Sequence, residues 1–180
     1  VVPLPGEFLS GAHRGSFSPK DGGLYIVGTD GWQSYARENG SLERVRWTGG
    51  DMLLPESVET RKNGFIIRFN EFIDPKSLDL QKAFASQWNY LHSDAYGSPE
   101  YSVKQPGITG HDPVKIRSLH TLKDGKSIFV EIPQLHPVMQ FHLYLEMKTR
   151  NGHAFTPDIY YSIFHQDEEF TDFPGYQKIA

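Results

Sequence analysis

A chain of 180 residues, 38% hydrophobic and 22% charged, has the make-up of a folded protein with one full domain, or one domain plus a fragment. Its net charge of −4, with no Lys/Arg cluster, argues against a nucleic-acid partner. The lack of cysteine excludes disulfides, thiolate metal sites and covalent haem attachment within this chain.

No apolar run is long enough to cross a bilayer, so no membrane partner is expected. Aromatic residues make up 13%, alongside 17 Gly and 12 Pro, which points to many short strands joined by turns. No signal peptide is visible, and the chain begins at Val1 rather than Met. It is therefore read as part of a longer protein.

Residues 1–20 are rich in Pro and Gly without periodicity and read as an irregular approach. Gly23 to Gly28 reads as a strand, and Thr29-Asp30-Gly31 as a turn. Trp32 to Tyr35 follows, then a turn at Glu38-Asn39-Gly40 and a strand from Leu42 to Trp47. Together these make a hairpin-like unit over residues 1–50 that cannot bury a core alone. Thr48-Gly49-Gly50-Asp51 is the internal boundary.

Beyond it the alternation sharpens. Ser57 to Arg61 is a short strand, Asn63-Gly64 a hairpin dipeptide, and Phe65, Ile67 and Phe69 share one face of the return. Asp74-Pro75 can cap a short helix to about Leu80. Phe84 to His92 reads as a strand with Trp88 and Tyr90 on one side. Lys104 to Pro113 is a loop, and Val114 to Arg117 alternates as a strand. Lys123 to Lys126 and Arg150 to His153 are hairpin turns. Ile128, Val130 and Ile132 alternate, as do Ile159, Tyr161 and Ile163. Phe141, Leu143, Leu145 and Met147 alternate against His142, Tyr144, Glu146 and Lys148. The expected fold is all-β: an immunoglobulin-like antiparallel β-sandwich over 51–166, preceded by the hairpin. The acidic, aromatic tail 167–180 either packs as an extension or leads into a following domain.

Two groups of motifs carry a resemblance. Gly23 to Gly28, Asp30 to Gln33 and Leu42 to Arg46 resemble the last β-propeller blade of glucose/sorbosone-dehydrogenase-like proteins. Gln87 to Tyr90, Tyr96 to Ser102, Asp124 to Pro133 and Leu135 to Gln140 resemble a module that follows such propellers in large exported bacterial proteins. Asn63 to Pro75 resembles the opening strands of bacterial Ig-like domains. The resemblance implies an extracellular or periplasmic, propeller-associated accessory domain, with propeller and cytochrome c-like domains of the parent protein as partners. It implies no cofactor and no catalytic residue here, since the quinone site of such enzymes lies in the propeller.

Four chemistries were weighed. Trp32, Trp88, Tyr90, Tyr96 and Tyr101 can form a stacking platform for sugar rings, with Gln33, Asn89 and Glu100 as a polar rim. The competing reading makes Trp88 and Tyr90 core, with Tyr96 and Tyr101 pinning a loop. A metal site needs distant groups such as His92, His111 and Asp112, because no two of the 8 His sit at helical ligand spacing. Asp21, Asp30 and Asp51 flank glycines but lack the spacing of a calcium loop. Glu71, Glu100 and Glu131 serve hydrolysis only if they converge, and no nucleophile elbow occurs. The expected function is non-catalytic: domain bracing, or polysaccharide binding through surface aromatics. The alternative is a small metal-dependent or carboxylate-based enzyme site.

Overall fold

The computed structural model describes residues 7–30, 36–47, 49, 53–92, 94 and 97–176. These fall into two compact units, one within Leu4–Met52 and one carrying the chain from Leu53 onward.

The first unit is a three-stranded antiparallel sheet in the order β1 (Gly11–Phe17), β2 (Leu24–Thr29), β3 (Gly40–Val45). β2 and β3 pair without interruption from Leu24↔Val45 to Thr29↔Gly40. The expected irregular approach is corrected here: residues 11–17 form a strand. No apolar alternation announces it, because β1 is exposed at six of its seven positions. Backbone pairing to β2 defines it instead, with a bulge between Ala12 and Arg14. The segment Trp32 to Tyr35 lies outside the described residues.

The second unit is all-β and layered. One sheet runs β4 (Pro55–Arg61), β5 (Gly64–Phe69), β9 (Ser127–Glu131), β8 (Ser118–Thr121). The other runs β13 (Asp158–Ile163), β10 (Val138–Leu145), β6 (Ala83–Trp88), β7 (Asp112–Pro113). A small ribbon pairs β11 (Met147–Lys148) with β12 (Ala154–Phe155). The two four-stranded antiparallel sheets are consistent with the expected β-sandwich.

The period-two pattern explains the layering. Phe65, Ile67 and Phe69 on β5 and Ile128 and Val130 on β9 turn inward from one sheet. Ala85 on β6, Phe141, Leu143 and Leu145 on β10, and Ile159 and Ile163 on β13 turn inward from the other. Phe65 and Phe141 meet across the gap with ring centroids 5.1 Å apart. Gly64 is required where β5 begins: at φ 150°, a Cβ there would lie 2.0 Å from the Val130 carbonyl oxygen.

Two further expectations are corrected. The helix after Asp74 is a pair of 3-10 turns, Pro75–Ser77 and Leu80–Lys82, capped by Asp74 and Asp79. Each Asp accepts from the backbone N–H two residues on, which caps the start of its turn. Val114 to Arg117 is no strand but the crossing between sheets. Its Val114 N–H donates to Ala85 O of one sheet and its Arg117 N–H to Glu131 O of the other. Val114 and Ile116 alternate because they pack on the core in passing.

The tail packs as an extension as far as it is described. Asp167 pairs with Arg61 as a short parallel bridge. The buried Asn63 side chain donates to Phe170 O at 2.8 Å and accepts from Phe170 N at 2.9 Å. Phe129 points outward from β9, opposite to Ile128 and Val130, yet is fully buried. Phe170 and Phe173 cover it at centroid distances of 5.0 and 4.7 Å, and Phe173 also packs on His120.

Two outcomes follow. Phe65→Ala should cost about 3–5 kcal/mol in urea denaturation, since the cavity opens at the meeting point of the sheets. Phe173→Ala should leave the sandwich folded but accelerate amide hydrogen exchange at Phe170 and around Asp167, because the tail loses its anchor.

Candidate functional site

The expected aromatic platform is assembled in part, and as a packed knot. Trp88, Asn89, Tyr90, Glu100 and Tyr101 come together where β6 runs out. Asn89 and Tyr101 exchange backbone hydrogen bonds at 2.9 and 2.8 Å, and Tyr101 bridges on to Thr109. Asn89 Oδ1 accepts from the Met139 backbone N–H at 3.0 Å. Trp32, Gln33 and Tyr96 lie outside the described residues.

Trp88 does not offer a ring to solvent, and this part of the platform is corrected. Its side chain belongs to the outward row of β6, with Phe84 and Ser86, yet the residue is only 5% exposed. The His111 imidazole lies flat on the indole, with centroids 3.8 Å apart and planes 6° from parallel. His111 Nε2 is in turn in contact with the Glu100 carboxylate. The indole N–H donates to Tyr90 Oη at 3.3 Å. The indole therefore closes the base of a loop, without belonging to the interior between the sheets.

That loop is fastened by Asp112. Its carboxylate accepts from Ser102 Oγ at 2.7 Å, from Val103 N at 2.7 Å and from Lys104 N at 2.8 Å. Burial alone would raise the carboxyl pKa. The hydrogen bonds from Lys104, Ser102 and Val103, with the Lys104 charge, outweigh it and hold the carboxyl below the ordinary aspartate range.

Several residues named for sites assembled from distant positions have partners of their own. His111 is committed to Trp88 and Glu100, and Asp112 to its loop. No group of three or more His, Asp or Glu among the described residues is arranged to hold a metal ion. Glu131 is buried and held by Arg117 at 3.1 Å and Ser118 at 2.6 Å, while Glu100 is held by His111. Asp21 accepts from Gly23 N at 3.1 Å and pairs with Arg44 at 2.7 Å, as a turn residue does. Asp51 lies outside the described residues.

A different set of rings stands open, on the outer face of β13-β10-β6-β7. The register places Phe84 opposite Tyr144, Ser86 opposite His142 and Trp88 opposite Gln140. On the far side of β10, Tyr160 stands opposite His142 and Asp158 opposite Tyr144. His142 stacks on Tyr160 with centroids 4.5 Å apart and planes 7° from parallel, and Phe84 meets its edge at 5.9 Å. His142 Nε2 contacts Asp158 Oδ1 at 2.5 Å, and Gln140 Nε2 donates to Ser162 Oγ at 3.3 Å. Phe84 is 49% exposed, and Tyr144 and Tyr160 are half-buried.

Sequence reasoning placed His142 and Tyr144 opposite the core row but attached no chemistry to them. Phe84, Asp158 and Tyr160 were missed. The available signal was that they occupy the outward positions of three strands that pair with one another. Which strands pair is not written in local sequence.

Comparison of the chain with protein-family models, with curated proteins and with solved structures finds no match.

Replacing the Asp112 carboxylate tests the loop fastening. Asp112→Asn should lower stability by about 1–3 kcal/mol at neutral pH. A depressed carboxyl stabilises above the unfolded value of about 3.9 and loses that contribution as pH falls through the lower folded value. The gap between wild type and variant in urea midpoint should therefore be widest near neutrality and close as pH falls below the ordinary aspartate range.

Proposed function

We propose that this chain is a non-catalytic β-sandwich accessory module that holds carbohydrate on the outer face of β13-β10-β6-β7. The observation that carries the reading is the contrast between the two outer faces. The ring facing outward from β9, that of Phe129, is sealed by the chain's own tail, through Phe170 and Phe173. On the other sheet, Phe84, Tyr144 and Tyr160 keep accessible surface next to hydrogen-bonding groups on His142, Asp158, Gln140 and Ser162.

Such a face suits a sugar. The apolar side of a pyranose ring stacks on an aromatic side chain, while carboxylate, amide and hydroxyl groups beside it fix the ring hydroxyls. A flat sheet supports an extended chain of sugars better than a single small molecule. The setting we propose is an exported, sugar-related bacterial oxidoreductase, in which the module neighbours propeller and cytochrome c-like domains. The sequence motifs of the two units support that setting. In its other form the reading has the same face bracing a neighbouring domain.

Isothermal titration against a panel of neutral and acidic oligosaccharides tests the proposal. Saturable binding is expected, weakened about two- to tenfold by Phe84→Ala and likewise by Tyr160→Ala. Urea midpoints should move little for Phe84→Ala, whose side chain is half in solvent. If no oligosaccharide binds at millimolar concentration, carbohydrate is removed from the reading and only bracing is left.

A further inference from the structure

A second site lies elsewhere in the sandwich, and it follows from a mismatch of charge. The chain carries 22 acidic against 18 basic residues. Yet one groove of about 540 Å³ is walled by Lys104, Lys115, Arg117 and His136, with no Asp or Glu in its lining. The crossing segment after β7 forms one side, and the turn between β9 and β10, with Ile132, forms the other.

Its floor is the second anomaly. Gln87 sits on the inward row of β6, in step with Ala85, where the rest of the sandwich places hydrocarbon. It is 2% exposed, and it lines the groove. An amide on an otherwise hydrocarbon row offers both a donor and an acceptor to whatever enters the groove it lines.

The cations are held in place and incompletely neutralised. Arg117 gives Nη1 to Glu131 at 3.1 Å, which fixes the guanidinium and leaves its other donors for a ligand. Lys104 follows directly from the loop that Asp112 fastens, and its Nζ donates to Pro113 O at 3.3 Å. The Asp112 carboxylate is nearby, but it is not part of the lining and already accepts from Ser102, Val103 and Lys104. Lys115 makes no ion pair or hydrogen bond with the described residues, and it is exposed.

We infer that this groove binds a small, multiply charged organic oxyanion, a di- or tricarboxylate or a phosphate ester, with Lys104, Lys115 and Arg117 meeting the charge and the Gln87 amide meeting a hydroxyl or carbonyl. Low-dielectric walls from Val114, Ile132 and Pro133 strengthen each such contact. The site uses the inward row of β6 and the glycan reading uses the outward row, so either holds without the other.

The test is isothermal titration of the full chain at low salt with citrate, with glycerol phosphate and with uncharged glycerol. Saturable binding of at least one anion and none of glycerol is expected; the tighter anion assigns the source as carboxylate or phosphate. Lys115→Glu, on an exposed side chain that the fold does not use, should weaken binding about tenfold or more. Gln87→Met should also weaken binding several-fold while leaving the thermal midpoint unchanged or raised. Absence of saturable binding by either anion overturns the inference. So does binding that survives Lys115→Glu undiminished, or a Gln87→Met variant that loses stability while binding as before.

Discussion

The interior between the two sheets admits almost nothing but hydrocarbon, and that constraint governs the rest of the molecule. Once Phe65 is packed against Phe141, the residues of β5 and of β10 from Phe141 to Leu145 have their sides assigned, because a regular strand alternates with period two. A slip of one residue would expose the whole apolar row. Pairing of β5 with β9 and of β10 with β6 carries the assignment outward to both sheets.

Fixing the inner rows leaves two outer faces, and the chain treats them differently. Over β9 it returns its own tail, held by the Asn63 amide and by the phenylalanine cluster around Phe129. Against the outer side of β6 lies the loop that ends in His111, whose imidazole covers Trp88. The rest of that face remains a mixture of rings and polar groups. Such a mixture is poorly suited to folding energetics and well suited to recognition, because it is neither fully dry nor fully wet.

The buried polar side chains are equally informative. Glu131 is buried but paired, and Asp112 is buried but given hydrogen-bond donors from its own loop. Gln87 is buried on the inward row of β6 and lines a groove. Two of the three are accounted for by the fold they stabilise. The third stands in a groove whose other polar groups are cationic.

Read alone, the sequence determined the all-β class, the hairpins at Asn63-Gly64, Lys123–Lys126 and Arg150–His153, and most of the inward row. Those features are encoded within a few residues of one another, as alternation and as turn chemistry. It also kept open whether Trp88 was a surface ring or a packed one. Tertiary structure alone decided that, by laying His111, twenty-three positions on, across the indole. It likewise turned Val114 to Arg117 from an apparent strand into a crossing, and paired β1 with β2 where no pattern foretold it. The open face of Phe84, Tyr144 and Tyr160 came from the same source, since three strands distant in sequence build it. Local pattern says which side of a strand is dry; only the pairing of strands says what each wet side will stand beside.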